Sequence, residues 1–362
     1  MSDEKPKIQI IIGDASQTKS KTFRRKPNHS IVTRLAVITF CIFPFCLLAQ
    51  PVVPGFDRFP NDTLAEQIYG GELLINELNC IACHAPDKHQ SNRFKSRQAP
   101  VLFTTHNTPS TGWLKRWLND PKELKPGTMM PDLIHNLDQH DKSHTVNSLL
   151  HYLTTLTPPL IEKDEFIGDP NKGKKLYQTI GCAQCHSPDA KDNGIDLPLG
   201  ELQQKYSQTQ LVKFLLNPLH SRPAGRMPRV PMTQQEAAHL TTFLLSRNPI
   251  RKDSILAKRP DTLKLREEGK IFYQNLRCAN CHSTPNSNVV PIFSKPLPKL
   301  DLSKGCLSAK PPKSAPHFHL NAKQTKAIIA ALKAKPKELT LQERTHHRMR
   351  QLNCTTCHTR DG

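Results

Sequence analysis

The chain has 362 residues and a formal charge of +20, from 51 Lys and Arg against 31 Asp and Glu. Aromatics are only 6% of it while prolines number 31, which suits small helical units joined by extended Pro/Lys-rich linkers better than one large core. No nucleic-acid module and no basic stripe interleaved with aromatics is found. The charge is therefore read as a basic surface, or as steering toward an acidic partner, with no nucleic acid implied. Eleven cysteines would suggest a disulfide framework, but eight fall into four regular pairs, Cys41 and Cys46 lie in an N-terminal apolar run, and Cys306 stands alone.

Residues 1–30 are polar and charged. Leu35 to Ala49 is a mostly apolar run preceded by Arg24, Arg25, Lys26 and Arg34. A positive n-region, a short h-region and a small terminal residue describe a secretory signal with a long basic n-region over 1–49, cleaved after Ala49. The run is interrupted by Pro44 and is shorter than the roughly 20 residues that cross a bilayer. Export to the periplasm or cell envelope is expected, with membrane association if the signal stays uncleaved. Removing these residues leaves +15 on the remainder.

The first motif is Cys80-Ile81-Ala82-Cys83-His84. The same C-x-x-C-H order returns at Cys182–His186, at Cys278–His282 and at Cys354–His358. This is the pattern of c-type haem attachment: Cys80 and Cys83, Cys182 and Cys185, Cys278 and Cys281, and Cys354 and Cys357 would each bind one porphyrin covalently. His84, His186, His282 and His358 would reach the iron as axial ligands. A lone C-x-x-C also reads as half a zinc site or as a redox dithiol. Neither requires a His directly after the second Cys, and a thioredoxin-like βαβ context is not found. Four complete motifs favour haem.

Before each first Cys the flanks repeat too. Nine residues back stand Gly71, Gly173, Gly269 and, as the exception, Thr345; five back stand Ile75, Tyr177, Tyr273 and Met349; two back stand Leu78, Ile180, Leu276 and Leu352. Steps of four and three place these on one helix face. A Gly inside a helix costs roughly 1 kcal/mol against Ala, so its return suggests that a second helix crosses there.

Farther on, Trp113–Pro121 resembles Leu211–Pro218, and nine residues after each Pro comes Met130-Pro131 or Met227-Pro228. A thioether is a soft neutral ligand that raises the haem potential. The matched spacing selects Met130, rather than its neighbour Met129, and Met227 as sixth ligands, against the plain reading of Met as pliable core filler. Closing helices are expected over Asp138 to Leu156, from an N-cap at Thr233 with Glu236 as its capping-box partner, and over Asn321 to Ala334. Leu160–Pro170 and Asn248–Thr262 read as linkers.

With these motifs in place, residues 62–158 and 169–247 each resemble a class I c-type cytochrome domain, residues 262–334 a degenerate copy, and 340–362 the start of a truncated fourth. The serial arrangement is similar to multi-haem cytochromes of planctomycete type. The resemblance implies an all-α fold of tandem small helical domains. It also implies up to four haem c groups and single-electron transfer between a redox donor and an acceptor protein, acidic or membrane-associated partners being the natural candidates. The third copy departs from the pattern, because no Met lies between His282 and Arg348; His317 or His319 is the candidate sixth ligand there. His346 and His347 read as surface residues. An iron lacking a strong sixth ligand keeps two alternatives in view: a di-haem-peroxidase-like enzyme and a haem-based ligand-binding or sensor module. No catalytic constellation is found outside the haems.

Overall fold

Side-chain caps set where the helices begin. Thr63, Asp138 and Thr262 accept backbone N–H bonds from the first turns they precede, and Asp169 does so ahead of Pro170. Ser207, Thr233, Asn321 and Thr340 each close a full capping box. Each cap satisfies a donor that has no partner inside its helix and contributes about 1 kcal/mol.

In this computed structural model residues 50–102, 109–156, 165–186, 197, 199–223, 225–247, 262–283, 290–335, 339–352, 354 and 358 are described. The expected signal peptide with Cys41 and Cys46, residues 160–164 and 248–261 of the two expected linkers, and Cys357 lie outside the described residues. The α-helices in chain order are α1 (Leu64–Glu77), α2 (Thr111–Asn119), α3 (Pro121–Leu124), α4 (Gln139–Thr155), α5 (Pro170–Thr179), α6 (Leu202–Lys205) and α7 (Gln208–Leu216). They continue with α8 (Pro218–Ser221), α9 (Gln234–Ser246), α10 (Leu263–Asn275), α11 (Cys278–Cys281), α12 (Ala322–Lys333) and α13 (Leu341–Gln351). The fold is all-α. Among the described residues no strand forms beyond an isolated antiparallel bridge between Asp132 and His317, and no helix is long and apolar enough to cross a membrane.

Three helix pairs carry the packing: α5 with α9, α1 with α12, and α10 with α4. The repeated glycines mark all three crossings. A Cβ on Gly173 would stand 2.0 Å from the His239 carbonyl oxygen, one on Gly71 2.0 Å from that of Ala327, and one on Gly269 2.0 Å from that of Ser148. The sequence-derived face is the buried one: Ile75, Leu78, Tyr177 and Tyr273 are all core residues.

The pairing corrects the expected domain boundaries at 62–158 and 262–334. Only the middle lobe closes on itself, α5 meeting α9 within the second repeat. In the other two the closing halves are exchanged. The helix before the first motif packs on α12 from the third repeat, in one core of Phe59, Leu73, Leu74, Phe94, Leu297 and Ile328. The helix before the third motif packs on α4 from the first repeat, in a core of Leu114, Leu149, Leu153 and Tyr273. Because the opening helices resemble one another and so do the closing ones, helix faces alone do not choose between pairings. Polar contacts at the ends do. Arg93 pairs with Glu72 at 2.6 Å and caps α12 through the carbonyls of Ala331 and Ala334, at 3.1 and 3.0 Å. Asn61 donates to the Lys323 carbonyl and Gln324 to that of Pro51. On the other pair, His144 meets Glu268 at 3.2 Å.

The degenerate third repeat is visible in its content. The halves containing α2–α4 and α7–α9 each carry a helix, a Pro-initiated helical turn, a Met-Pro loop and a closing helix, whereas residues 290–321 carry only two 3-10 turns before α12.

Gly71→Ala and Gly269→Ala test the crossings. In an exposed helix the change would gain about 1 kcal/mol. Here the added methyl meets backbone, and overpacking costs about 1–3 kcal/mol, so thermal unfolding should show a net loss of stability for both.

Candidate haem-attachment sites

Three opening helices, α1, α5 and α10, end in the same device. The residue before the first Cys is left-handed: Asn79 at φ 55, Gly181 at φ 94 and Arg277 at φ 62. That conformation stops the helix and turns the chain into a tight helical turn over the motif. The His backbone N–H then bonds the first Cys carbonyl, at 3.2 Å for His84, 3.0 Å for His186, 2.9 Å for His282 and 3.1 Å for His358. Both cysteines and the His of a motif are thereby placed on successive positions of one turn, and the fourth motif shares its closing bond.

The imidazoles test whether these turns fit haem. His84 Nδ1 lies 2.7 Å from the Lys295 carbonyl oxygen, His186 Nδ1 3.0 Å from that of Leu197, and His282 Nδ1 2.8 Å from that of Pro100. A ring that donates Nδ1–H to a carbonyl keeps Nε2 as a free base, the tautomer an iron ligand needs. Burial holds His282 below the ordinary imidazole range, so it is neutral. The accepting segments lie against the second Cys: Ser294 N bonds Cys83 O, Leu197 N bonds Cys185 O, and Ala99 N bonds Cys281 O. The exchange therefore reaches the motifs themselves, because residues 294–297 brace the first and 99–102 the third. The donor sets fit haem.

Five of the motif thiols are weakened as acids by burial. Desolvation pushes Cys80 and Cys278 up to about 12 and Cys281 up to about 11, and raises Cys83 and Cys182. Apolar walls of this kind suit a porphyrin edge and not a zinc ion, which binds thiolate. Cys306 is close enough to Cys80 to weaken it further as an acid, and burial, with Cys83 beside it, pushes Cys306 itself up to about 11.

Tyr177 and Tyr273, which sequence reasoning placed only on a helix face, have a further role. Their hydroxyls donate to the carbonyls of His186 and His282, the latter at 3.3 Å. Recurrence of Tyr five residues before the Cys was the available signal; Ile75 cannot do the same in the first motif.

Met227 packs against the core of the middle lobe. Met130 is half-buried while Met129 is exposed. Met130 lies on the half that packs with the third motif, not the first, which departs from the in-series assignment to His84. His317 and His319 are likewise displaced from their expected role beside His282: they belong to the half that packs with the first motif. Their neighbours Phe318 and Leu320 face that lobe's core. The two rings lie against each other, 3.7 Å apart and tilted, with His317 also 5.1 Å from His135. Burial and neighbouring cations hold His319 down to about 4.

The first and third motifs abut. Asn79 Nδ2 reaches Cys281 Sγ at 3.8 Å, and Asn280 Nδ2 reaches Cys83 Sγ at 3.6 Å and the Ala82 carbonyl at 2.8 Å. Between the second and third lobes sits a cluster of cations. Burial beside Lys205 and Arg222 pushes Lys125 down to about 7, and Lys205 is also depressed. Lys205 lies 5.3 Å from the Trp113 ring, and Arg222 donates to Tyr206 at 3.2 Å. Lys125 and Arg222 stand five residues before Met130 and Met227 respectively, and a cluster of basic groups whose protonation burial disfavours would suit an anionic group such as a haem propionate.

The fourth motif's helix is docked rather than loose. Arg350 pairs with Glu66 at 3.0 Å and stands 4.6 Å over Phe59. His347, expected at the surface, stacks on Tyr69 at 3.6 Å and is half-buried; His346 is exposed.

A small helical lobe whose opening helix ends in C-x-x-C-H, with a Met-Pro loop and a closing helix crossing at a glycine, is a haem-attachment fold. Residues 170–248 match the family Cytochrome c. This part of the chain is thus a cytochrome c domain, which binds at least one covalent haem c and serves in electron transfer with redox partners. The chain is also similar to cytochrome c oxidase subunit 2 of Bacillus subtilis (strain 168), 31% identical over 94 residues. That similarity spans 24% of this chain and 25% of that protein. No solved structure matches.

Tyr177→Phe removes the donor to the His186 carbonyl and leaves packing unchanged. Chemical denaturation should show a loss of about 1 kcal/mol.

Proposed function

We propose that the chain is an exported multi-haem c-type cytochrome that carries up to four covalent haems and passes single electrons between a redox donor and an acceptor protein. The observation that carries this reading is the recurrence, at three motifs, of a proximal His whose Nδ1 is held by a backbone carbonyl while its motif cysteines sit on the same turn. When bound, each haem supplies an iron that alternates between the ferric and ferrous states.

The chain's own residues do the rest. The carbonyls of Lys295, Leu197 and Pro100 orient the three imidazoles. Met227, on the loop ahead of α9, supplies a thioether to the middle haem, which closes that iron to small molecules. The Lys125, Lys205 and Arg222 cluster binds propionates between the second and third lobes. Asn79 and Asn280 hold the first and third motifs in contact, so the cysteines that would hold two haems are close together, which supports a relay rather than isolated carriers. Arg226, next to Met227, reaches Glu77 at 2.8 Å, so the middle lobe is fastened to the end of α1 just ahead of the first motif. A net positive surface favours encounter with acidic partners.

Intact mass spectrometry of the exported protein, made in a host with c-type haem maturation, tests this. The expected mass is that of a chain starting near Gln50 with at least three covalent haems, and with four if the last motif holds its own. A chain without haem would refute the cytochrome reading and return the cysteines to zinc.

A further inference from the structure

We infer that axial ligation is crossed between the first and third repeats. Met130 serves the haem on Cys278 and Cys281, and the haem on Cys80 and Cys83 is the one that takes up a small neutral ligand such as carbon monoxide. This rests on the cytochrome reading above and goes beyond it in saying which haem is closed and which is open.

The middle lobe supplies the rule. There, Met227 lies on the loop running into α9, α9 crosses α5 at Gly173, and α5 ends in the motif. The ligand loop and closing helix thus travel together. Met130 lies on the loop running into α4, and α4 crosses α10 at Gly269, ahead of the third motif. The same half supplies the carbonyl of Pro100 to His282. By this rule the Met130 thioether belongs to the iron of His282.

The first motif is completed by residues 290–334 instead, through Lys295 and α12. That segment contains no Met. Its two histidines alternate with Phe318 and Leu320, which face the core that also contains Cys80. The imidazoles are engaged with one another, tilted at 3.7 Å between ring centres, and His317 lies 5.1 Å from His135 on the half that contains α4. His317 is further held by both backbone bonds of its bridge to Asp132, at 3.0 and 2.9 Å. The half that completes the first motif therefore offers no thioether, and its two imidazoles are already engaged with one another and with His135.

The experiment uses the holoprotein carrying Cys354→Ser and Cys357→Ser, so that the fourth haem does not contribute. Two signals are read: the ferric thioether–iron absorption band and carbon monoxide binding to the reduced protein. Removing the third haem by Cys278→Ser with Cys281→Ser should halve the band and leave carbon monoxide binding intact. Removing the first by Cys80→Ser with Cys83→Ser should leave the band intact and abolish the binding. The converse pattern, or no binding in the parent, would overturn the assignment. Should either variant misfold, cross-linking mass spectrometry of the unaltered holoprotein gives a second reading. Links between α1 and α12 and between α4 and α10 are expected; links between α1 and α4 would overturn it. A parent with no covalent haem would refute the cytochrome reading itself, which keeps the two failures distinct.

Discussion

Everything in this molecule depends on how closely two helices can cross. At three places a glycine lets a carbonyl oxygen from the partner helix lie where a methyl group would otherwise be. That contact fixes the height and angle of each closing helix relative to the motif that follows the opening helix. The ligand loop that precedes the closing helix is fixed with it. The surroundings of each motif are thus set by a backbone contact nine residues ahead of its first Cys.

Around that constraint the chain is nested rather than serial. The middle lobe is continuous. The lobe of the third motif is assembled from two segments that flank it, with the closing half earlier in the chain than the opening half. The lobe of the first motif encloses both in sequence, its halves lying at the two ends of the described chain. Polar contacts fasten the assembly: Glu77, whose side chain is 4% exposed, is shared by Arg97 at 2.5 Å and Arg226 at 2.8 Å. A carboxylate so buried would be costly alone, and its two guanidinium partners offset that cost.

Much of this was legible in the sequence, because local chemistry writes it there. The helix face of Gly71, Ile75 and Leu78, the cap at Thr233 with Glu236, and the span from Asp138 to Leu156 depend only on neighbours a few residues away, and the structure has them. The pairing of halves was not legible. Near-identical repeats present near-identical faces, so nothing within one repeat says whether α1 meets α4 or α12. The deciding contacts, such as Arg93 with the end of α12 and His84 with Lys295, join residues roughly 200 or more positions apart. The same holds for His317 and His319: they were read as ligands of the third haem because they stand where that repeat's Met loop would be, whereas the segment that carries them packs with the first motif. The tyrosine hydroxyls were half-legible, since their recurrence was noted and their acceptor, a carbonyl nine residues on, was not.

The nesting also sets a timetable. As the chain is made, α1 and the first pair of thiols emerge early, but α12, the surface that covers them, begins about 240 residues later. At usual synthesis rates that is an interval of about 12–50 s. Throughout it, Cys80 and Cys83 stand in water as ordinary thiols, before burial makes Cys80 so weak an acid. A chemistry that must reach those sulfurs has its opening then, and the arrival of α12 shuts it.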